Sequence, residues 1–557
     1  MSKDRLIYLP LGGAGEVGMN AYVFGYGPKG RERLILVDLG VTFSDMDSTP
    51  GVDLIMPDLS WLEERRDQLE AIIITHAHED HVGALGLMWP KLRVPVYARD
   101  FTARIAKLKM QDAGQDPEQV IVVDKAPDAI DLGPFRVQFF PVAHSLPEAS
   151  GLIIDTPAGR VVHSGDFKSD LTPCVGEPHD PEMLAEIGRS GVKVLLCDST
   201  NVMNPDPGRS EASLAGPLTQ LMRESKGMVV ATTFASNVAR LKTLAVAAQE
   251  AGRSVCLMGR AMLRMTQVAT EAGILKDMPA TVSPEAAKDI PRENLLLIVT
   301  GSQGERRAAS AQLARGNYMG MQMREGDTFL FSSMTIPGNE RDVGRVVNSL
   351  SAMGVDVLDN AQRRYHVSGH ANRPDLIEMH ELIAPKILIP MHGEHRMLRE
   401  HCKLGLAKGL RAAVIPNGSV CDLTGDAPVL VDEVPTGRVY LDGSQIIGAM
   451  DGIIRDRIRM AIGGHVFVTL ILDEENEALG APWAELAGLR SEGRGGQMLN
   501  EIIETELEDF VSRAGHKVLA DDDRLNDGLR RVVRQVVMEE IGKKPEVTIV
   551  VSRLLSE

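Results

Sequence analysis

The chain has 557 residues, of which 44% are hydrophobic and 25% charged, and its formal net charge at pH 7 is −17. This length is too great for one hydrophobic core and predicts two to four domains of about 150 residues each. The acidity excludes a general nucleic-acid coat, because non-specific affinity comes mainly from cations that neutralise phosphates. It does not exclude a nucleic-acid enzyme, which needs only a local basic channel or bound metal ions.

Location and redox state are indicated by what the sequence lacks. No stretch approaches the ~20 apolar residues of a membrane span, and the opening MSKDRLIYLP has no apolar signal-peptide core. The cysteines form no C-x-x-C pair, which indicates neither a disulfide framework nor a thiolate metal site. We therefore expect a cytoplasmic protein that contacts no membrane.

The first motif in the chain is G-x-G-x-x-G at residues 13–18, which is typical of dinucleotide-binding folds. Asp38 closes a later apolar run at about the distance of a ribose-binding acid. A dinucleotide site also needs a helix directly after the third glycine. The residues after Gly18 are instead aromatic and β-branched and break at GPKG, so the pattern predicts a β-hairpin and disfavours dinucleotide binding.

Further along the chain, the strand and helix patterns divide the sequence into four segments. Short strands and helical stretches alternate over residues 1–208, which favours a layered α/β domain. Residues 209–373 repeat strand–helix units and predict a separate doubly wound parallel sheet. The first domain resumes, with a linker, over 374–450, and 451–557 predict a small α+β unit.

The strongest chemical signal is THAHEDHVGAL, where an apolar strand ends at Thr75. Four side chains follow in one loop: His76, His78, Asp80 and His81. Imidazole and carboxylate groups are the ligands that zinc and similar metals prefer. A histidine-rich loop without function is the poorer alternative, because the chain has only 14 histidines. Three further donors stand where other apolar strands end: His144, Asp166 and His392.

This donor set resembles the metallo-β-lactamase superfamily, with its H-x-H-x-D-H motif. The resemblance implies that one metal takes His76, His78 and His144, that the other takes Asp80, His81 and His392, and that Asp166 bridges them. It also implies that Asp38 is a brace that hydrogen-bonds within the ligand loop. Two such ions make hydroxide available at neutral pH and neutralise the oxygens of an in-line displacement.

The inserted segment resembles the β-CASP domain of nucleic-acid-processing members. The resemblance narrows to the ribonuclease J family and spans nearly the whole chain. It rests on PLGGAGEVGMN, THAHEDHVGAL, FASN, TGSQGE, SSMTIPGNE, HVSGHA and PMHGE, which occur in the family's order. The implied fold is α/β: a metallo-β-lactamase αββα sandwich with an inserted parallel β-CASP domain and a small C-terminal α+β domain.

The family implies a zinc-dependent ribonuclease that acts in mRNA decay and rRNA maturation. The implied activities are 5′→3′ exonuclease action favouring 5′-monophosphorylated RNA, and endonuclease action. Two zinc ions per subunit are expected, with manganese as the alternative, because the ligands suit both metals. The expected partners are single-stranded RNA with a 5′-monophosphate, other RNA-decay proteins, and further copies of the chain in a homodimer or homotetramer.

The resemblance also assigns roles outside the ligand set. Asp198 and His370, grouped with Asp80 as catalytic residues, have the chemistry to orient the site or protonate the leaving oxygen, although Asp198 alone could be a turn cap. We expect a 5′-phosphate to be bound by neutral donors at two turns, with a plain turn as the alternative for the second. Those donors are Ser236 and Asn237 of FASN, and His366, Val367, Ser368, Gly369 and His370 of HVSGH. Glu16 and Asn20 are expected to face the substrate.

Two other functions stay open from the residues. One is a small-molecule hydrolase, such as a lactonase or thioesterase, on the same metal scaffold. The insert of ~160 residues argues against it, because such an enzyme does not need a second domain of that size. The other is a non-enzymatic RNA-binding or assembly scaffold, which the intact ligand set disfavours.

Overall fold

The computed structural model of the chain describes residues 4–336, 338–359 and 364–554. Two compact units divide these residues. The first contains the described residues up to Thr42 together with Met56–Arg438, and the second contains Phe43–Ile55 with the described residues from Val439 onward.

The first unit is built around two β-sheets that share one hydrophobic core. In the described residues, the eight-stranded sheet has the order Val429–Glu433, Ser419–Asp422, Arg5–Gly12, Ala21–Gly27, Arg33–Val37, Leu69–Ile73, Val96–Ala98, Val120–Val122. The seven-stranded sheet has the order Arg411–Ala412, Ile387–Met391, Val192–Asp198, Gly159–His163, Ser150–Thr156, Phe135–Pro141, Ile130–Leu132. A short parallel pair joins Ala14–Gly15 to Gly393–Glu394.

Alternate residues of these strands face inward, as the two-residue period of a strand requires. Tyr8 and Phe24 of one sheet and Phe139 and Leu196 of the other are completely or almost completely buried in one cluster. Helix Asp100–Asp112 packs on one sheet and helix His395–Ala407 on the other. This arrangement confirms the predicted αββα sandwich. Its other helices are Ser60–Glu63, Glu79–Val82, Leu85–Leu92, Pro181–Arg189 and Arg373–Ile383.

The insert forms a parallel sheet of its own, as predicted. The described strands have the order Thr281–Val282, Ser254–Met258, Leu295–Val299, Val229–Thr232, Thr328–Phe331, Asp356–Leu358. Hydrophobic clusters cover both faces of this sheet. Its helices are Ala215–Glu224, Val238–Glu250, Arg260–Glu271, Pro284–Ala287, Ala309–Ala314 and Glu340–Ala352.

The insert separates two strands that are direct neighbours in the sandwich. Val192–Asp198 and Ile387–Met391 pair in parallel, with Asp198 opposite Met391. The carboxyl ends of both strands therefore meet at one edge of the sheet, although the entire insert lies between them in sequence.

The glycine motif at residues 13–18 leads into a strand, which confirms the predicted hairpin. Ala21–Gly27 pairs antiparallel with Arg33–Val37. Gly13, Gly15 and Gly18 all have positive φ, the conformation that glycine adopts at no steric cost. Without a helix after Gly18, no dipole is available to hold a pyrophosphate.

The second unit is a small α+β structure. The described strands form a sheet in the order Trp483–Ala487, His465–Leu472, Glu546–Arg553, whose core is closed by helices Leu499–Arg513 and Asp522–Ile541. Helices Ile453–Gly463 and His516–Leu519 complete it. Residues 439–442 of this unit pair antiparallel with residues 445–448. Among the described helices, none is long and apolar enough to cross a membrane.

Candidate metal centre

The predicted ligands meet at the carboxyl edge of the two sheets. Each lies just beyond a buried strand, where the backbone leaves the ladder and side chains of several strands converge. His76 follows Leu69–Ile73, His144 follows Phe135–Pro141, Asp166 follows Gly159–His163, and His392 follows Ile387–Met391.

One group of donors contains His76, His78, His144 and Asp166. Nδ1 of His78 lies 3.1 Å from Nε2 of His76 and 3.1 Å from Nε2 of His144. Oδ2 of Asp166 lies 3.6 Å from Nε2 of His76. Nitrogen and oxygen atoms at these separations can all reach a single ion.

A second group shares Asp166 with the first and adds Asp80, His81 and His392. Oδ2 of Asp166 lies 3.2 Å from Nε2 of His81 and 3.7 Å from Nε2 of His392. Oδ2 of Asp80 lies 3.0 Å from Nε2 of His392. The seven side chains thus form two groups that share Asp166, the same two that the family resemblance implies.

Each imidazole has one nitrogen in the centre and the other bound to a protein oxygen. Nδ1 of His76 lies 3.0 Å from Thr75 Oγ1, and Nδ1 of His81 lies 2.8 Å from Asp38 Oδ2. Nδ1 of His144 lies 2.6 Å from Gly369 O, and Nδ1 of His392 lies 2.6 Å from Thr200 Oγ1. His78 is reversed, because its Nε2 faces Ser145 Oγ at 3.3 Å. These outer contacts hold the proton of each neutral ring and leave the inner nitrogen free to bind a cation.

Burial and nearby charges give the histidines of the two groups different protonation states. Burial lowers the pKa of His76, His78 and His144, to about 4 for His78, so these rings are neutral. Burial also opposes protonation of His81 and His392, but the carboxylates of Asp166 and Asp80 outweigh it and raise both pKa values. A cation entering the second group would displace those protons.

Asp166 is the best indication that the centre is built for cations. It is 1% exposed, yet neither carboxylate oxygen makes a hydrogen bond within the described residues. A buried carboxylate without hydrogen bonds is costly unless cations compensate it. The donor set and this carboxylate together fit a divalent metal site.

Asp38 has the bracing position that the sequence predicts. Its Oδ1 accepts a hydrogen bond from Thr75 N at 2.8 Å, and its Oδ2 faces His81 Nδ1 at 2.8 Å. It is completely buried and has a φ of 63°, a left-handed conformation that aspartate and asparagine tolerate better than most residues.

We expect Asp38→Asn to weaken metal binding by about 10–100-fold, because the amide cannot accept both hydrogen bonds. Competition with a chelating dye measures the affinity. Asp131→Asn is the control, because Asp131 is an exposed carboxylate paired with Arg136 away from the centre. Equal affinities for Asp38→Asn and the control would contradict the bracing role.

His370 and Asp198 form an ion pair beside the centre. His370 Nδ1 lies 2.8 Å from Asp198 Oδ2 and 3.8 Å from Asp166 Oδ2. Burial opposes protonation of His370, but the charge of Asp198 outweighs it and raises the pKa of His370 to about 9. Asp198 also caps a turn, since its Oδ1 accepts from Thr200 N at 2.9 Å. Asp198 therefore occupies both positions considered from the sequence: it pairs with His370 and it caps a turn.

Of the two predicted phosphate-binding turns, HVSGH contains His370 itself, and FASN leads into helix Val238–Glu250, whose Ala239 N donates to Ser145 O at 3.5 Å, next to His144. In HVSGH, His370 N donates to Ser368 Oγ at 3.0 Å, and a Cβ added to Gly369 would lie 2.9 Å from His144 Cε1. In FASN, Oδ1 of Asn237 caps helix Val238–Glu250 and leaves only the amide nitrogen to face a ligand. The side chain of Val367 is buried in a hydrophobic cluster, so only its backbone is available.

Several residues near the centre were not predicted in their observed roles. Asn20 is buried, and its Nδ2 donates to Asp80 O at 3.0 Å and lies 3.0 Å from Nε2 of His81. Glu16 is held by Arg438 at 2.7 Å. Thr200 contacts both His392 and Asp198, and Asn201 Nδ2 donates to Ser368 Oγ at 2.8 Å. The only sequence signal for Thr200 and Asn201 is that both closely follow Asp198 in CDSTN.

A further buried polar cluster lies behind Asp198. It contains Cys197, His380 and His401, all at most 3% exposed. Nε2 of His380 lies 2.9 Å from Nε2 of His401, and Nδ1 of His401 lies 2.8 Å from Ser199 Oγ. The facing ring nitrogens bond to each other, which ties the helices Arg373–Ile383 and His395–Ala407 to the strand end that carries Asp198.

Comparison with family models matches most of the chain. The metallo-β-lactamase superfamily matches residues 14–179, and the β-CASP domain of ribonuclease J matches 226–350. The RNA specificity domain of Zn-dependent metallo-hydrolases matches 360–416, and the C-terminal domain of ribonuclease J matches 452–554. The three predicted boundaries between the four segments stay predictions.

Individual proteins are similar over nearly the full length. A protein named Ribonuclease J from Sinorhizobium meliloti is 39% identical and aligns with 99% of this chain and 98% of its own. The protein of that name from Thermus thermophilus is 33% identical and aligns with 99% of this chain and 95% of its own. A crystal structure of an Enterococcus faecalis protein of unknown function has a TM-score of 0.52 at 16% identity and covers 75% of this chain and 100% of its own, a likeness of fold alone.

Proposed function

Because this chain belongs to the ribonuclease J family and is a metal-dependent ribonuclease, we propose that it removes nucleotides from the 5′ end of monophosphorylated RNA and also cleaves RNA internally. The observation that carries the proposal is the pair of donor groups that share Asp166, with the partly buried ion pair of His370 and Asp198 beside them. We propose that it acts in mRNA decay and in rRNA maturation.

We propose two zinc ions as the metals, held by the two donor groups. When bound, they would act as Lewis acids and supply hydroxide at neutral pH. The chain's own residues orient five imidazoles so that one nitrogen of each points inward, through contacts of the other nitrogen with Thr75, Asp38, Gly369, Thr200 and Ser145. Asp80 and Asp166 supply the negative charge that balances the cations.

The direction of digestion determines which bond must break. An enzyme that needs a 5′-monophosphate can continue along a strand only if each cut leaves a 5′-monophosphate on the remaining RNA. Cleavage therefore separates phosphorus from the 3′-oxygen, and that oxygen needs a proton as it leaves. His370, protonated beside Asp198, holds a proton close to the centre and is the proposed general acid.

The HVSGH and FASN turns are the proposed 5′-phosphate pocket. They offer Ser368 Oγ, Ser236 Oγ, the amide of Asn237, His366 and backbone N–H groups, all neutral donors. A pocket at a fixed distance from the metals places the first phosphodiester bond in the centre and releases one nucleotide at a time. A triphosphate carries two more phosphate groups than the pocket accommodates.

One comparison of substrates tests this function. RNAs of one sequence with a 5′-monophosphate, 5′-triphosphate or 5′-hydroxyl are incubated with the protein and zinc or manganese. We expect mononucleotides from the monophosphorylated RNA alone, and internal fragments from all three. His76→Ala should abolish both activities, because His76 belongs to the first donor group. Ester hydrolysis of lactones or thioesters without RNA cleavage would overturn the proposal in favour of the small-molecule alternative.

Two further proposals concern the cellular location and the oligomeric state of the enzyme. All five cysteines are free, which suits a reducing cytoplasm where RNA is degraded. We also propose a homodimer or homotetramer that works with other RNA-decay proteins. Light scattering at several protein concentrations measures the oligomeric state, and a monomer at every concentration would reject that part.

A further inference from the structure

Arg240 is an arginine with no exposed surface, and it belongs to helix Val238–Glu250 of the inserted domain. A buried guanidinium is tolerated only when its charge and all its N–H groups are matched. Glu211 accepts two hydrogen bonds from it, at 2.6 Å and 2.8 Å, in the parallel geometry that arginine and carboxylate prefer. This pair neutralises the charge but uses only two of the five N–H groups.

The remaining contacts of Arg240 point at the proposed phosphate pocket. It donates to Ser332 O at 2.7 Å, to His366 Nδ1 at 3.2 Å and to Val367 O at 3.4 Å. Its backbone N–H donates to Oδ1 of Asn237 at 2.9 Å. One residue therefore holds the start of HVSGH and the end of FASN together.

The contact with His366 also fixes where the proton of that ring lies. A guanidinium can only donate, so Nδ1 of His366 is the acceptor, and the proton of the neutral ring is on Nε2. Burial, followed by the charge of Arg240, lowers the pKa of His366 well below its ordinary value, which keeps the ring neutral. His366 is thus held as a neutral ring with one N–H group.

Glu211 connects the same network to the metal centre. Its backbone N–H donates to Asp170 Oδ2 at 3.0 Å, and Asp170 pairs with Lys168 Nζ at 2.8 Å. Lys168 is 4% exposed, and its backbone N–H donates to Ala143 O at 2.8 Å. Ala143 precedes His144, and Lys168 lies two residues after Asp166, so a continuous buried chain links both ligand loops to the pocket.

We infer that Arg240 is a positioning residue that sets the 5′-phosphate pocket at a fixed distance from the metal centre and thereby determines the preference for 5′-monophosphorylated ends. The inference rests on the proposed function. The buried chain contains two ion pairs, Arg240 with Glu211 and Lys168 with Asp170, so its charges balance. A lysine at position 240 would keep the charge, but one ammonium group cannot span Glu211, Ser332 and His366 as a planar fork does.

The test is Arg240→Lys, assayed with 5′-monophosphorylated and 5′-hydroxyl RNA of one sequence. We expect the ratio of their kcat/KM values to fall by roughly 10–100-fold, because displacing the pocket by about 1 Å misaligns the first phosphodiester bond. Internal cleavage of a triphosphorylated RNA and the zinc content should be unchanged, because neither uses the pocket. A preference equal to that of the wild type would overturn the inference.

Arg253→Lys is the matched control. Arg253 is a 5%-exposed arginine of the same domain, and it donates to the carbonyl oxygens of Met222, Ser225, Gly227 and Leu295 at the opposite edge of the sheet. We expect it to lower thermal stability as much as Arg240→Lys does but to keep the 5′ preference. Equal losses of preference in both variants would assign the effect to general destabilisation and reject the positioning role.

Two outcomes separate this inference from the proposed function. A wild-type protein that cleaves both RNAs equally well would refute the proposed 5′ preference itself. A wild-type protein with the preference, together with an Arg240→Lys variant that retains it, would refute only the positioning role. If Arg240→Lys does not fold, Glu211→Gln gives the same test, because it keeps the shape of the acceptor and removes its charge; retention of the preference there would also refute the inference.

Discussion

Asp166→Asn, which replaces one carboxylate oxygen by an NH2 group, should reduce the rate of RNA cleavage by at least about 10³-fold. Asp166 is the only side chain among the described residues that belongs to both ligand groups named for the metals, and its Oδ2 lies within 3.7 Å of three imidazole nitrogens. An amide at this position removes the charge that balances the cations in both groups. Zinc content, measured by atomic emission, should fall in parallel with the activity.

A stability measurement distinguishes loss of metal from loss of fold. A ligand that binds only the folded state raises its stability, so a chelator should lower the melting temperature of the wild type. Asp166→Asn should melt at the same temperature with and without the chelator. The control is Asp155→Asn, a carboxylate of the neighbouring strand that pairs with Arg160, which should keep both activity and chelator sensitivity. Full zinc content in Asp166→Asn would contradict the shared-ligand role.

His370→Gln should lower kcat for RNA by about 10²–10⁴-fold, the range for loss of a general acid. The physical reason is that the 3′-oxygen leaves poorly without a proton. RNA with a sulfur in place of that bridging oxygen should be cleaved by the variant almost as fast as by the wild type, because a thiolate leaves without one. Equal losses on both substrates would show that His370 acts in binding or positioning instead.

The pH profile gives a second readout of the same role. A general acid works below its pKa, so the rate declines as pH rises through that value. Asp198 raises the pKa of His370 to about 9 despite burial, and bound cations would lower it again. The decline in kcat should therefore fall at or below about pH 9 for RNA and be absent for the sulfur substrate.

The ligands of the candidate centre were predictable because each follows a buried strand in the sequence. Apolar runs ending in His76, His144, Asp166 and His392 are local patterns, and strand ends of one sheet edge must converge. The parallel sheet of the insert was predictable for the same reason.

The residues that orient the ligands were not predictable from local patterns. Thr200 meets His392, and Asn201 meets Ser368, across long stretches of sequence. Such pairs are set by which strands become neighbours after the insert has folded, and no periodicity reports that. Asn20 was expected to face the substrate; the hairpin buries it against Asp80 and His81, and its contact with a substrate stays a prediction. Arg240 carried no signal either, since arginines on helices are usually exposed.

The pairing of Val192–Asp198 with Ile387–Met391 has a consequence for synthesis of the chain. At about 5–20 residues per second, a ribosome needs on the order of ten to forty seconds to extend the chain from Asp198 to Ile387. Throughout that interval the nascent protein has its first histidines but no strand to carry His392. Translation order thus keeps the donor set incomplete during that part of synthesis, while the chain is attached to its own messenger RNA.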